Sequence, residues 1–342
     1  MDTDADAADL VFIHLSDVHF RHGSVGDAHD PNRRLRKELE LDLRRLTPRF
    51  SRLDGLIISG DIAFGGKTEE YDYASGWIKT ICELIGCDRK AVMVTPGNHD
   101  VDRDSIPPDG EVDSLHQEIR KAASLGEYDE RLAAILRDQP RARALLSPLS
   151  AYNAFSRKYG CQVSPNSPYW ERDFDLSDGT KLRLRGIATN LLSSSRDNNQ
   201  THRMLYGGAQ RAILREPNVR NVVVGHHPPS WTVESDMVDH EFSVLTSLQV
   251  FGHEHEQWLT QVGNSVRLIA GAVHPSRRES NWLPRYAAIT VSALDGQNLS
   301  IRIYPRRWST EELLFMGDFN SQGNDFRNYV VAVEPRQMEG EE

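Results

Sequence analysis

Five mostly apolar runs in this chain each stop at a short polar motif, and that punctuation constrains the fold more than any other feature. Residues 10–15 run into Asp17-Val18-His19, and residues 55–59 into Gly60-Asp61. Residues 91–95 run into Gly97-Asn98-His99-Asp100, residues 222–224 into Gly225-His226-His227-Pro228, and residues 247–251 into Gly252-His253-Glu254-His255. Short apolar runs rich in Val and Ile and bounded by Gly or Pro read as buried strands. Apolar residues at helical spacing fill residues 32–46 and 69–85, the latter with Tyr73, Trp77, Ile81 and Leu84 on one side. Strand and helix therefore alternate over the first hundred residues, which predicts βαβ units around a largely parallel sheet. In such sheets ligands gather at the carboxyl ends of the strands, where these motifs fall.

Residues 102–160 break the alternation. They open with the turn cluster Pro107-Pro108-Asp109-Gly110, show helix-like segments at 111–125, 127–138 and 141–159, and read as a helical insertion capping the site. Strand patterns return from residue 170: a hairpin of 170–176 and 181–187, then 266–270, 286–291, 299–304 and 329–333, with a short helix at 210–215. The expected organisation is a disordered N-terminus over 1–9, one domain over 10–305 with the insertion inside it, and a C-terminal extension over 306–342, partly packed on the domain.

Each motif offers metal-ligand chemistry. Asp17 and His19 are two apart, as are His253 and His255; in an extended segment such pairs share a side and can grip one ion, while His253 and His255 can also each serve a different ion. Asp61 has two carboxylate oxygens and can bridge two ions. Asn98 offers a neutral carbonyl oxygen. His99 faces elsewhere and is free to act on a substrate, with Asp100 expected to hold its ring. Of the adjacent pair His226 and His227, alternation allows one ligand; His226 is chosen, and His227 either lines the pocket or is structural. Gly97-Asn98-His99-Asp100 is the sharpest single motif, since His-Asp adds little to a turn; the others alone read as readily as a turn or a surface histidine. It is their joint occurrence at strand ends that carries the argument.

The net charge of −10, from 40 basic and 50 acidic residues, argues against tight non-specific nucleic-acid binding but not against a phosphate substrate. Cys82, Cys87 and Cys161 fit no zinc spacing and read as reduced thiols. No apolar stretch approaches the ~20 residues of a membrane span, and the acidic start lacks a signal-peptide pattern. A cytoplasmic protein is the expectation.

With all five motifs in order over roughly residues 10–275, the chain resembles the calcineurin-like metallophosphoesterases, and in particular the bacterial branch that includes cyclic-nucleotide phosphodiesterases. The resemblance rests mainly on residues 12–19 and 95–100. It implies a four-layered αββα sandwich of two mixed sheets. It implies two metal ions of the manganese, iron or zinc type, one held by Asp17, His19, Asp61 and His255, the other by Asp61, Asn98, His226 and His253. The implied reaction is hydrolysis of a phosphodiester or phosphomonoester by hydroxide shared between the metals, with His99 as the catalytic group and Asp100 orienting it. The expected partner is a small phosphorylated molecule, a cyclic nucleotide among the options. A metal-dependent nuclease is the alternative, and a non-catalytic scaffold a third reading. Weaker candidates for substrate contact are Asn190, the 193–196 loop, His202, Arg203, Arg277 and Arg278. The sequence leaves open the oligomeric state and whether the insertion is a lid or a dimer face.

Overall fold

The computed structural model describes residues 8–23, 30–294 and 298–332; most of the N-terminal segment expected to be disordered lies outside them. The first sheet starts with β1 (Leu10–Leu15), β2 (Gly55–Ser59) and β3 (Val92–Thr95), joined by helices α1 (Arg33–Leu46) and α2 (Thr68–Ile85). The three strands are parallel, as the alternating pattern predicted. The Glu70 side chain accepts the Lys67 backbone N–H at the start of α2, and Gly86 ends the helix in the left-handed conformation.

Residues 102–160 form helices without a strand: α3 (Glu111–Arg120), α4 (Leu125–Arg137), α5 (Gln139–Leu146) and α6 (Ser150–Ser156). They are pinned at both ends. Tyr152 on α6 donates to the Val94 carbonyl (3.1 Å), and Phe155 stacks on Tyr71 of α2. Arg120 on α3 donates to the carbonyls of Leu192 and Arg203. The insertion thus braces the long segment after residue 187.

The second sheet follows: β4 (Tyr169–Asp175), β5 (Lys181–Ile187), the short α7 (Gly208–Arg211), β6 (Val219–Val224), α8 (Ser235–Leu245), β7 (Leu248–Phe251), β8 (Trp258–Val262) and β9 (Ser265–Ile269), in spatial order β4-β5-β6-β7-β9-β8. Strands β5, β6, β7 and β9 are parallel; β4 and β8 close the edges antiparallel. The chain then returns to the first sheet with β10 (Arg285–Ala293), β11 (Asn298–Ser309), β12 (Leu314–Gly317) and β13 (Arg327–Ala332). The order there is β12-β11-β10-β1-β2-β3, with β13 beside the first half of β11.

Strand alternation sorts the core into layers. Val222, Val224, Leu248 and Val250 face inward and join one large cluster with β1, β2 and β3, where Phe12 meets Phe174 edge-on at 5.1 Å. Val223 and Phe251 face outward and pack under Val238 and Phe242 of α8. On the far side Leu35, Leu39 and Leu43 of α1 and Ile78 and Ile81 of α2 cover the first sheet. The architecture is therefore an α/β sandwich of two mixed sheets between helices.

The elements differ from the sequence reading at four places. Helix α2 buries Tyr71, Ala74, Trp77, Ile78 and Ile81, while Tyr73 is 39% exposed, so its apolar face is rotated from the one predicted. Helix α8 and strand β8 were unforeseen: α8 buries only Val238 and Phe242, and β8 is an edge strand with little buried surface. The boundary expected at 305 falls inside β11, and residues 306–332 complete the first sheet. Residues 212–215 do not continue the short helix.

Buried Asp42 ties α1 to that sheet, accepting from Tyr286 Oη, Arg306 Nε (2.9 Å) and Arg306 Nη2 (2.6 Å), with its side chain 2% exposed and that of Arg306 11%. Asp42→Ala leaves the guanidinium buried without its counter-ion. The expected cost is about 3–5 kcal/mol, read from urea unfolding; a loss below 1 kcal/mol would show that the pair does not brace the sheet.

Candidate metal centre

The carboxyl ends of β1, β2 and β3 and those of β6 and β7 meet at one edge of the sandwich. Cross-links between the motif loops fix their approach. Asp17 N donates to Gly60 O (3.1 Å), His19 N to Asp61 O (2.9 Å), Gly252 N to His226 O (2.9 Å) and His274 N to Asp17 O (3.0 Å).

Asp17, His19, Asp61, His253 and His255 all have φ between 52° and 73°. They are five of the eight non-glycine residues with positive φ among the described residues. The left-handed region is uncommon for side-chain-bearing residues and is held where surrounding structure over-determines it. The pairs Asp17/His19 and His253/His255 therefore converge through two left-handed kinks, and not through strand alternation as the spacing suggested.

Two buried carboxylates face each other across this edge. Asp17 Oδ2 accepts from Ser16 Oγ (2.6 Å) and from His253 N (3.3 Å). Its Oδ1 has no hydrogen bond and lies 3.3 Å from His255 Nε2, 3.8 Å from His19 Nε2 and 3.9 Å from His226 Nε2. Asp61 follows the same plan: Oδ1 accepts from His99 N (2.8 Å), and Oδ2 lies 3.3 Å from His226 Nε2 and 3.9 Å from His19 Nε2. The imidazoles are anchored from behind. His226 Nδ1 donates to Ser59 O (2.8 Å) and His255 Nδ1 to Glu279 Oε1 (2.9 Å), so each turns Nε2 inward.

Three motif glycines make room for this. A Cβ at Gly97 would overlap the Asp61 carboxylate, one at Gly252 the Ser16 hydroxyl, and one at Gly60 the His226 ring.

The electrostatics follow from burial and pairing. Burial opposes ionisation of Asp17, but His226 and His255 hold its pKa below the usual carboxylate range. Asp61 is likewise held well below its usual range, again against burial, chiefly by His226. Burial likewise opposes a charge on His226, yet Asp61 and Asp17 raise its pKa to about 9; Asp17 and Glu279 raise that of His255 to about 10. His19 is pushed down to about 4 and His253 to about 3 by burial. His226 and His255 therefore favour their charged forms beside the two carboxylates.

A second group adjoins the first. Ring nitrogens of His226, His227 and His253 lie within 4.8 Å of one another. His227 Nε2 donates to Asn98 Oδ1 (3.1 Å), and its Nδ1 accepts from Thr189 Oγ1 (2.6 Å). Burial drives the His227 pKa well down, which favours the neutral ring, and the contact with Asn98 Oδ1 ties that ring to the Asn98 amide.

The expected partnership of His99 and Asp100 is not found. Asp100 is fully buried and accepts from Ala63 N (2.9 Å), Gly97 N (2.8 Å), Ile62 N (3.2 Å) and Tyr71 Oη (2.8 Å). It clamps the Asp61 loop to the Asn98 turn. Burial and Asp61 raise its pKa to about 7, against the hydrogen bonds from Gly97, Ala63 and Tyr71. His99 Nδ1 donates instead to the Phe64 carbonyl (2.8 Å).

Among the weaker candidates, Asn190 lies at the centre: Nδ2 donates to Gly97 O (2.7 Å), and its buried Oδ1 has no partner. Arg203 donates to Ser230 O (2.9 Å), beside Trp231, whose ring meets His253 edge-on at 4.1 Å. Arg277 reaches Pro31 O and is not brought to the cluster. Sequence reasoning missed Glu279, Phe64 and Thr189; none carries a motif, and each is joined to the cluster only by folding.

The donor set fits divalent cations of the first transition row. Imidazole nitrogen and carboxylate oxygen suit them, and unpartnered buried atoms such as Asp17 Oδ1 and His226 Nε2 would otherwise be costly. Cysteine takes no part: all three thiols are free and buried.

The family model described as calcineurin-like phosphoesterase matches residues 10–257. A protein of Bacillus subtilis (strain 168) named uncharacterized metallophosphoesterase-like protein YydB is 24% identical over 318 residues, which are 88% of this chain and 60% of that one. This chain therefore spans less than two thirds of that relative. Among solved structures, the purple acid phosphatase PPD1 from yellow lupin (Lupinus luteus) seeds aligns over 95% of this chain and 54% of its own, with 11% identity and a TM-score of 0.48. Wild-type Vps29 of Entamoeba histolytica complexed with zinc aligns over 94% of this chain and 99% of its own, with 12% identity and a TM-score of 0.36.

Two expected outcomes follow from this geometry. An imidazole nitrogen cannot bind a cation and keep its proton, so filling the site near pH 7 should release about two protons, from His226 and His255. Apparent affinity should then climb with pH up to about 9–10; calorimetry in buffers of different ionisation enthalpy measures this, and proton-independent binding would exclude these histidines as ligands. Glu279→Ala should weaken metal affinity about 10–100-fold, since the carboxylate orients His255, and unchanged affinity would remove that role.

Proposed function

We propose that this chain, which belongs to the calcineurin-like phosphoesterase family, hydrolyses a small phosphoric ester at a dinuclear metal centre. The single observation that carries this reading is the shared orientation of Asp17 and Asp61. Each has one oxygen held by the scaffold and turns the other toward the inward-facing imidazole nitrogens. Asp17, His19, Asp61 and His255 are the residues for one ion, and Asp61, Asn98, His226 and His253 those for the other, with Asp61 shared. Cations bound there supply Lewis acidity that polarises a phosphoryl oxygen and acidifies water.

The chain's own groups do the rest. With its Nδ1 proton on the Phe64 carbonyl, His99 turns Nε2 away from that anchor. Its task is to hold a phosphoryl oxygen and, when protonated at Nε2, to pass that proton to the departing oxygen as the P–O bond breaks. Water supplies the new oxygen on phosphorus, and its proton leaves to solvent. Asp100 keeps the Asn98 turn against the Asp61 loop and so supports both. The acidic surface and the sequence resemblance favour a small phosphorylated molecule over nucleic acid, with cyclic nucleotides among those to be tried. Among the described residues no helix is long and apolar enough to cross a membrane.

The experiment is a substrate panel on manganese-loaded protein: bis-p-nitrophenyl phosphate against p-nitrophenyl phosphate, then cyclic nucleotides, dinucleotides and oligonucleotides. His99→Ala should keep its metal content and lose about 10²–10⁴-fold in kcat. Asp61→Ala should lose both ions. Equal metal loss in the two variants, or full turnover by His99→Ala, would refute this division of roles.

A further inference from the structure

We infer that Phe64 is a positioning residue for His99, acting through both its carbonyl and its ring. The inference rests on the reading of His99 given above. A histidine that must meet a phosphoryl oxygen and a departing oxygen gains from a single ring orientation, and here the expected anchor, Asp100, is spent elsewhere. Phe64 supplies two restraints. Its carbonyl accepts from His99 Nδ1 at 2.8 Å, which fixes the tautomer and frees Nε2. Its ring stacks on the His99 ring, centroids 4.9 Å apart at 28°. On another side His19 meets His99 edge-on at 4.8 Å, so the imidazole sits between two rings.

The platform is itself held. Phe64 N donates to Phe20 O (2.9 Å) and Phe20 N to Ile62 O (2.9 Å), which locks the two loops side by side. The Arg21 guanidinium lies 3.4 Å from the Phe64 ring centroid, a cation–π contact that restrains the ring. Arg21 is two residues past His19 and Phe64 three past Asp61, so the first two motifs build the support for the histidine of the third. Phe64 is only half-buried and lies outside both hydrophobic clusters. The core does not need this ring, and its use is at the site.

The test is a double-mutant cycle on the manganese-loaded protein, using whichever of bis-p-nitrophenyl phosphate and p-nitrophenyl phosphate it turns over faster. Phe64→Leu keeps the carbonyl and removes the ring. It should lower kcat about three- to tenfold, the scale of one aromatic pair, with KM and metal content unchanged. In the His99→Ala background the same substitution should change kcat by less than about twofold, because the two act as a unit. Phe64→Tyr, which keeps the stacking face, should restore kcat. Independently of turnover, the His99 ring protons in the zinc-loaded protein should be shifted upfield by the Phe64 face and lose that shift in Phe64→Leu. Equal losses in both backgrounds, a change confined to KM, no loss at all, or an unshifted His99 ring in the unsubstituted protein would each overturn the inference. If His99→Ala alone left kcat intact, the reading of His99 would fall and this inference with it. If His99→Ala were impaired and Phe64→Leu were not, this inference alone would fall.

Discussion

Everything at the functional edge of this molecule answers to one constraint: two ionised carboxylates, Asp17 and Asp61, lie almost without solvent contact on facing loops. Burial alone would drive both toward protonation. They stay ionised because each outer oxygen accepts hydrogen bonds from the scaffold and each inner oxygen faces imidazoles that carry compensating charge. Such an arrangement is stable only when charges of the opposite sign occupy the space between them, whether protons on His226 and His255 or cations. Affinity for metal and affinity for protons are therefore two faces of one electrostatic demand.

That demand explains features that look unrelated in the chain. Gly60, Gly97 and Gly252 are small because the side chains of the site pack against their α-carbons. Five residues accept left-handed backbone at a cost of order 1–3 kcal/mol each, since no extended conformation would aim their side chains at one point. The energy comes from elsewhere: a continuous core between the sheets and hydrogen bonds that stitch one motif loop to the next. The helical insertion extends this stitching. Its first helix holds the segment that carries Asn190, and its last packs on α2, whose Tyr71 binds Asp100.

Legibility in the sequence followed the range of the interaction. The parallel strands β1, β2 and β3, the helices between them and the strand-free insertion were plain, because period and punctuation are local. The burial face of α2 was misread, since Tyr73 and Tyr71 both fit an apolar stripe and only the neighbouring sheet selects between them. Helix α8 escaped because two buried residues, Val238 and Phe242, make too short a stripe to register. At the site, Asp100 was paired with the adjacent His99 on grounds of proximity, yet its oxygens are taken by Ala63, Gly97, Ile62 and Tyr71. For His227 the sequence offers no choice between pocket and structural roles, because Thr189 and Asn98, which stand at its two nitrogens, are 38 and 129 residues away.

The amino-acid order by itself determined that carboxylate, amide and imidazole groups stand at the ends of buried strands, because apolar runs and glycine stops are written residue by residue. It could also determine that Asp17 with His19, and His253 with His255, are near neighbours. Only the tertiary structure decided how they converge, through left-handed kinks that hydrogen bonds from other strands hold in place. It alone decided which second residue stands behind each histidine: Ser59 behind His226, Glu279 behind His255 and Phe64 behind His99. Those partners lie between 24 and 167 residues away along the chain, so no local pattern could encode them. They exist as neighbours only once both sheets have packed.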